Sequence, residues 1–148
     1  GLLAGLVSIT GGCSVIDPWA AIIIGGVGTV IFNYGCILLE KLQIDDPLLA
    51  APMHGFCGAW GIFAIGLFCN PRLLLESYGR DNKESKGAFF GGDGKLLGAQ
   101  LLGIVTIAAW STVLLAGVFY ALHAAKMLRV DPEVELAGLD ISKHGGVA

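Results

Sequence analysis

His54 is the one ionisable side chain that falls deep inside a long apolar stretch of this sequence. It follows Asp46 by eight residues, which is about 12 Å along a helix axis. Ionisable groups within a membrane are costly and are functional candidates by default. A helical projection places His54 on one face with Ala50, Cys57, Gly58, Gly61 and Ile65. This face is suited either to lining a narrow conduit or to receiving a neighbouring helix, in which case His54 would bond that helix.

Asp45 and Asp46 form a second chemical candidate, because paired carboxylates can bind a cation or act as acid and base. Asp46 directly precedes Pro47, a pattern that capping of a helix explains, and Asp45 is expected to face water. A membrane enzyme would need both carboxylates in the same cavity as His54, and the separation of about 12 Å argues against it. We therefore expect no enzyme, no metal site and no cofactor.

The distribution of charge predicts a membrane protein. Only 14% of the 148 residues are charged, 55% are apolar, and the mean hydropathy is +0.75. Charged residues are absent from 18–39, 47–71 and 96–122, and stretches of this length form helices of roughly 33 to 40 Å that can cross a hydrocarbon core. A net charge of −3 without a basic patch excludes a nucleic-acid partner. The four cysteines lack the spacing of a zinc site or a disulfide framework.

Aspartate–proline pairs mark the expected helix starts, with Asp17, Asp46 and Asp131 as capping residues. The predicted spanning helices cover 1–10, 18–41, 47–68 and 95–128, and the first is expected to be the truncated end of a longer helix. Shorter helices are predicted at 71–78 and 132–137. Pro52 is expected to bend the third spanning helix near His54.

Small residues recur on one face of each of the first two predicted helices, which is typical of close packing between membrane helices. The first face contains Gly1, Gly5, Ser8 and Gly12, and the second contains Ala21, Gly25, Gly28 and Thr29.

Four segments resemble the ammonium transporter (Amt/Mep/Rh) family, in particular its plant and algal Amt branch. They are AGLVSITGGCSVIDPWAA at 4–21, DDPLLAAPMHGFCGAWG at 45–61, FYALHAAKMLRV at 119–130 and ELAGLDISKHGG at 135–146. The resemblance implies an all-α polytopic transmembrane bundle of eleven helices, with the eighth (in part) to the eleventh at 1–128 and a cytosolic regulatory tail at 129–148. It also implies a trimer, either a homotrimer or a heterotrimer with related subunits, in the plasma membrane.

The same resemblance implies that ammonium or ammonia passes through a hydrophobic pore lined by two histidines. His54 matches the second histidine, and the first would lie upstream of Gly1. An ammonium sensor with this fold that signals through its tail is an alternative function, as is a Rh-like gas channel.

The resemblance further implies that the tail regulates the pore. Ser142, close to Asp140, occupies the position of a hydroxyl residue that a kinase phosphorylates in plant-like members, although an unmodified serine is the alternative. Gly138 is expected to end the tail helix, and its replacement by aspartate is expected to uncouple the tail.

Overall fold

The chain is all-α in the computed structural model, which describes residues 1–79 and 85–138. Within those ranges the regular elements are all helical. Three helices have the length and hydropathy needed to cross a membrane, namely Pro18–Lys41, Ala51–Phe68 and Lys95–Ala124. The predicted fold class is therefore confirmed.

Within residues 1–79 and 85–138, six α-helices, one π-helical segment and one 3-10 turn follow one another. The α-helices are α1 (Leu2–Thr10), α2 (Pro18–Lys41), α3 (Cys57–Phe68), α4 (Pro71–Tyr78), α5 (Lys95–Ala124) and α6 (Pro132–Ala137). A π-helical segment, Ala51–Phe56, leads directly into α3, and a 3-10 turn covers Ala88–Phe90. The chain divides into two compact units, Gly1–Thr106 and Ile107–Ala148.

Small residues bring α1 and α2 into close contact, as the sequence predicted. Gly5 and Gly25 face each other so closely that a Cβ added at Gly25 would lie 3.7 Å from the Cα of Gly5. A Cβ added at Gly28 would overlap the hydroxyl of Ser8, which donates to the carbonyl of Ala4 at 2.8 Å. The two backbones can therefore approach without intervening side chains, as membrane helices often do.

Helix α5 ends at Ala124, four residues before the predicted end at Leu128. Lys126 adopts a left-handed conformation with φ 57°, and the N–H of Met127 donates to the carbonyl of Leu122 at 2.9 Å. This pattern is a Schellman motif, which terminates a helix and normally uses glycine at the left-handed position. This end was not predicted from the sequence, because a lysine occupies the left-handed position.

The predicted side-chain caps at Asp17 and Asp131 are wrong. Both residues stand at the N-cap position without a side-chain cap bond. Their backbone carbonyls accept the N–H groups three and four residues ahead, and the proline that follows has no N–H, so few donors remain for the carboxylate. The carboxylate of Asp17 accepts a 2.8 Å bond from the side-chain amide of Asn70 instead.

Helix α4 lies against the loop that joins α1 to α2. The N–H of Asn70 donates to the carbonyl of Val15 at 2.9 Å, and the hydroxyl of Ser77 donates to the carbonyl of Ser14 at 2.8 Å. The hydroxyls of Ser14 and Tyr78 are 3.1 Å apart. These bonds attach α4, and the end of α3 just before it, to the loop between α1 and α2.

Candidate functional site

The helix that carries His54 does not begin at Pro47, as the sequence predicted. Leu49 has φ 53° and its N–H donates to the carbonyl of Asp46 at 3.0 Å, so residues 47–49 form a turn. The π-helical segment Ala51–Phe56 follows. Within a regular α-helix, Pro52 would remove one hydrogen bond and press its ring against the carbonyl four residues earlier. The turn and the wider π-helical geometry replace the simple bend that was expected at this proline.

Asp46 binds the start of the π-helical segment through both carboxylate oxygens. Oδ1 accepts from the N–H of Ala50 at 2.9 Å and Oδ2 from the N–H of Ala51 at 2.7 Å. A carboxylate that accepts two backbone N–H groups forms charge-assisted bonds, which are stronger than neutral ones. Asp46 therefore caps the segment that carries His54, although that segment begins later than predicted.

His54 lines an open groove of about 320 Å³ between α1 and the helix that contains the π-helical segment and α3. The other lining residues are Gly58, Gly61 and Ile62 on the side of His54, and Val7, Thr10 and Gly11 on the side of α1. The hydroxyl of Thr10 donates to the backbone carbonyl of Leu6. With that hydroxyl bonded within its own helix, His54 is the titratable side chain in a groove with otherwise small or apolar walls.

Three residues of the predicted face do not line the groove. Ile65 is partly buried and packs against the core cluster beside Gly12. Ala50 is exposed at the start of the π-helical segment and is not among the lining residues, because its N–H is held by Asp46. Cys57 is fully buried and its thiol donates to the carbonyl of Gly28 on α2 at 3.3 Å. The projection assumed α-helical periodicity throughout, whereas a π turn contains one more residue and separates His54 from Cys57.

The α1 wall of the groove was not predicted from the sequence. Val7, Thr10 and Gly11 are spaced at i, i+3 and i+4, which places them on one helical face. This spacing was a usable signal, but a single sequence does not say which faces of two helices meet.

Glycines determine how closely α3 approaches its neighbours. A Cβ added at Gly61 would overlap the carbonyl of Ser8 and lie 3.1 Å from its carbonyl carbon. On the α2 side, the indole Nε1 of Trp60 donates to the carbonyl of Ile24 at 3.0 Å. The backbone of α3 is thus held directly against α1, and the groove is correspondingly narrow.

The paired carboxylates and the imidazole do not share a cavity. Asp45 and Asp46 line a different pocket, of about 450 Å³, with Glu40 and apolar residues at the end of α2. Within residues 1–79 and 85–138 there is no cluster of three or more His, Cys, Asp or Glu side chains able to hold a metal. The geometry offers no support for a membrane enzyme that combines His54 with the aspartates.

The described part of the predicted tail ends at Gly138. This glycine follows α6 with φ 83° and ψ 143°, and its N–H donates to the carbonyl of Glu135 at 3.3 Å. Residues with a Cβ rarely adopt such a conformation. Asp140 and Ser142 lie outside the described residues.

The family model of the Ammonium Transporter Family matches residues 1–148. The chain belongs to the ammonium transporter family. It is 48% identical over its whole length to ammonium transporter 1 member 1 of Arabidopsis thaliana and 46% identical to ammonium transporter 1 member 1 of Solanum lycopersicum. The chain spans 30% of the length of each of these relatives. These matches confirm the resemblance that the sequence motifs indicated.

Solved structures agree with this assignment. The chain is similar to Mep2 of Candida albicans, with a TM-score of 0.74 and 31% identity, and this match covers 88% of the chain and 28% of that protein. For Mep2 of Saccharomyces cerevisiae the TM-score is 0.78 with 27% identity, over 88% of the chain and 29% of that protein. With three helices of membrane-spanning length, this member of a transporter family is an integral membrane protein. Membership in a family of transporters agrees with the expectation that it is not an enzyme.

Proposed function

We propose that this chain forms part of a pore that conducts ammonium or ammonia, with His54 facing the conducted species. The observation that carries the proposal is the exposure of an imidazole in a groove whose other walls are small or apolar. Both walls belong to the same compact unit, Gly1–Thr106. Membership in the ammonium transporter family identifies the substrate class.

An apolar groove imposes a chemical requirement on a cation. Moving ammonium out of water into such surroundings costs many kcal/mol unless the lost hydration is replaced. Transfer of one proton from ammonium to the acceptor nitrogen of a neutral imidazole leaves neutral ammonia and an imidazolium, which later releases the proton, and the ammonia no longer carries most of that cost. Ammonia then passes the apolar wall while His54 offers it a hydrogen bond.

The proposal extends to the protein that contains this pore. His54 acts as the second member of a histidine pair in each subunit of a homotrimer or heterotrimer. The protein resides in the plasma membrane, with residues 129–148 as a cytosolic tail that regulates conduction. A kinase that phosphorylates Ser142 would add up to two negative charges close to Asp140 and displace the tail from its docking surface.

The test is uptake of methylammonium by transport-deficient yeast that expresses the full-length gene product. His54→Ala is compared with wild type, and uptake is normalised to the amount of protein in the plasma membrane. The matched control is His123→Ala, which removes an exposed histidine near the end of α5. We expect His54→Ala to change the rate or the substrate selectivity by about a hundredfold or more, the range typical for loss of a proton-transferring group, and His123→Ala to behave as wild type.

The result also separates the competing functions. Equal uptake and equal selectivity in wild type and His54→Ala would contradict the pore assignment. An ammonium-dependent signal in cells without measurable uptake would favour a sensor. Uptake of neutral gases without nitrogen at the same rate as methylammonium would favour a gas channel.

A further inference from the structure

The wall of the groove that carries His54 has a gap one turn further along the helix. His54, Gly58 and Ile62 are spaced four residues apart, and all three line the groove. Residues at this spacing lie on one helical face, each about one turn from the next. The wall therefore presents an imidazole, then bare backbone, then a branched apolar side chain. The gap between His54 and Ile62 lies over the backbone of Gly58.

Gly58 differs from the other glycines that line the groove. A Cβ added at Gly61 would overlap the carbonyl of Ser8, and a Cβ added at Gly11 would lie 3.8 Å from Cδ1 of Ile65. These two glycines thus lie at contacts between α1 and α3. A Cβ added at Gly58 would meet no neighbouring atom within 4 Å in the described part of the chain. The missing side chain at Gly58 therefore leaves free space instead of a close helix contact.

This free space is the feature of Gly58 that needs an explanation. Glycine is a poorer helix former than alanine, and Gly58 lies within α3. Its backbone is not left-handed, and no close approach of another described segment requires glycine at this position. Room for a transported group beside the imidazole accounts for the residue type.

We propose that Gly58 sets the size limit of the groove beside His54 and so determines whether the pore accepts methylammonium as well as ammonium. Methylammonium exceeds ammonium by one methyl group, just as alanine exceeds glycine. In wild type, the methyl group of the conducted species occupies the gap between His54 and Ile62 while its nitrogen faces the imidazole. In Gly58→Ala the two methyl groups compete for the same space. This inference rests on the proposed function and deepens it, because it defines which substrates the same groove takes.

The test measures two uptake rates in transport-deficient yeast that expresses the full-length gene product. Labelled methylammonium gives one rate, and depletion of ammonium from the medium gives the other. Both rates are divided by the amount of protein in the plasma membrane, and their ratio is compared between wild type and Gly58→Ala. A change of one methylene group in an apolar pocket typically alters selectivity about 10- to 200-fold. Because the groove is open, we expect the ratio of methylammonium to ammonium uptake to fall by about tenfold, the lower end of that range.

Gly26→Ala is the matched control. Gly26 lies within another spanning helix, α2, and a Cβ added there would likewise meet no neighbouring atom within 4 Å in the described part of the chain. It is not among the residues that line the groove. The two variants therefore make the same chemical change at equally open helical positions, and Gly26→Ala should keep the wild-type ratio.

Three results would overturn the size limit. The first is a wild-type ratio in Gly58→Ala, and the second is an equal fall of the ratio in Gly26→Ala. The third is a Gly58→Ala protein that no longer reaches the membrane, because other parts of the full-length protein would then fill the space over Gly58. A loss of stability alone would lower both uptake rates together and leave their ratio unchanged.

The outcomes also distinguish this inference from the proposed function. If His54→Ala alters transport whereas Gly58→Ala keeps the wild-type ratio, the size limit is wrong and the pore assignment stands. If His54→Ala behaves as wild type, the pore assignment fails and this inference fails with it.

Discussion

Gly58 and Gly61 lie on one helix, three residues apart, and both line the groove, yet a methyl group added to each should have opposite effects. At Gly58 an added Cβ meets nothing within 4 Å. Alanine is the better helix former, and this substitution should stabilise the protein by about 0.5 to 1 kcal/mol.

At Gly61 the same methyl group meets the backbone of α1. It would overlap the carbonyl of Ser8 and lie 3.1 and 3.3 Å from the carbonyl carbon and Cα of that residue. Backbone atoms cannot rotate away as a flexible side chain can, so α3 must move away from α1. Overpacking of this kind typically costs about 1 to 3 kcal/mol. Between the two variants we therefore expect a difference of roughly 1.5 to 4 kcal/mol.

The assay is thermal inactivation of the purified protein in detergent, followed by the fraction that remains monodisperse on size exclusion. The half-life of Gly61→Ala should fall below that of wild type, and Gly58→Ala should equal or exceed wild type. Methylammonium uptake should also fall in Gly61→Ala, because the shift of α3 moves the wall on which His54 stands. Equal stability of the two alanine variants would refute the packing reasoning for α1 and α3.

Four further predictions follow from individual contacts. Gln43 has φ 54° at the end of α2, so Gln43→Gly should stabilise the protein by about 1 kcal/mol in the same inactivation assay. Asp46→Asn replaces one accepting oxygen by an NH2 group, so it loses one of two backbone bonds and weakens the other, and it should lower uptake per transporter. The pKa of Asp93 is lowered, first by the backbone N–H of Lys95 that donates to its carboxylate. The stabilising contribution of this carboxylate should therefore be present at neutral pH and lost as pH falls below the ordinary aspartate pKa of 3.8. Asp93→Asn should remove that part of the pH dependence of thermal inactivation. Gly138→Asp should strain a backbone with φ 83° by about 1 to 3 kcal/mol and alter uptake through the tail, and undiminished uptake would count against a regulatory tail.

Much of the helical map was predictable because proline and small residues act locally. The bounds of α2, α4 and α6 follow from a proline at each start and from the residues that end each helix. Two errors share one cause, which is a left-handed residue that is not glycine. Leu49 delays the start of the helix that carries His54, and Lys126 ends α5 early. Residues with a Cβ adopt this conformation only at a cost in energy, so neither a leucine nor a lysine in the sequence signals it.

The candidate site was predicted only in part. His54 stood out by its type alone, since an ionisable residue in an apolar stretch needs an explanation. Its companions were assigned by α-helical periodicity, which fails across a π turn. As a result Cys57 was placed beside His54, whereas its thiol bonds α2, and the residues of α1 that complete the groove were missed.

The width of the groove and the chemistry within it depend on different kinds of atoms. Backbone contacts set the width, because Gly61 rests on the main chain of Ser8 and no side chain intervenes. One side chain, His54, supplies the titratable group, and Asp46 caps the segment that carries it. Substitutions that add volume at the helix contact should therefore change how large a substrate passes, which uptake of ammonium relative to methylammonium measures. Substitutions of His54 itself should instead change how uptake depends on pH. If every variant in both groups changed size selectivity and pH dependence together, width and chemistry would not be separable in this protein.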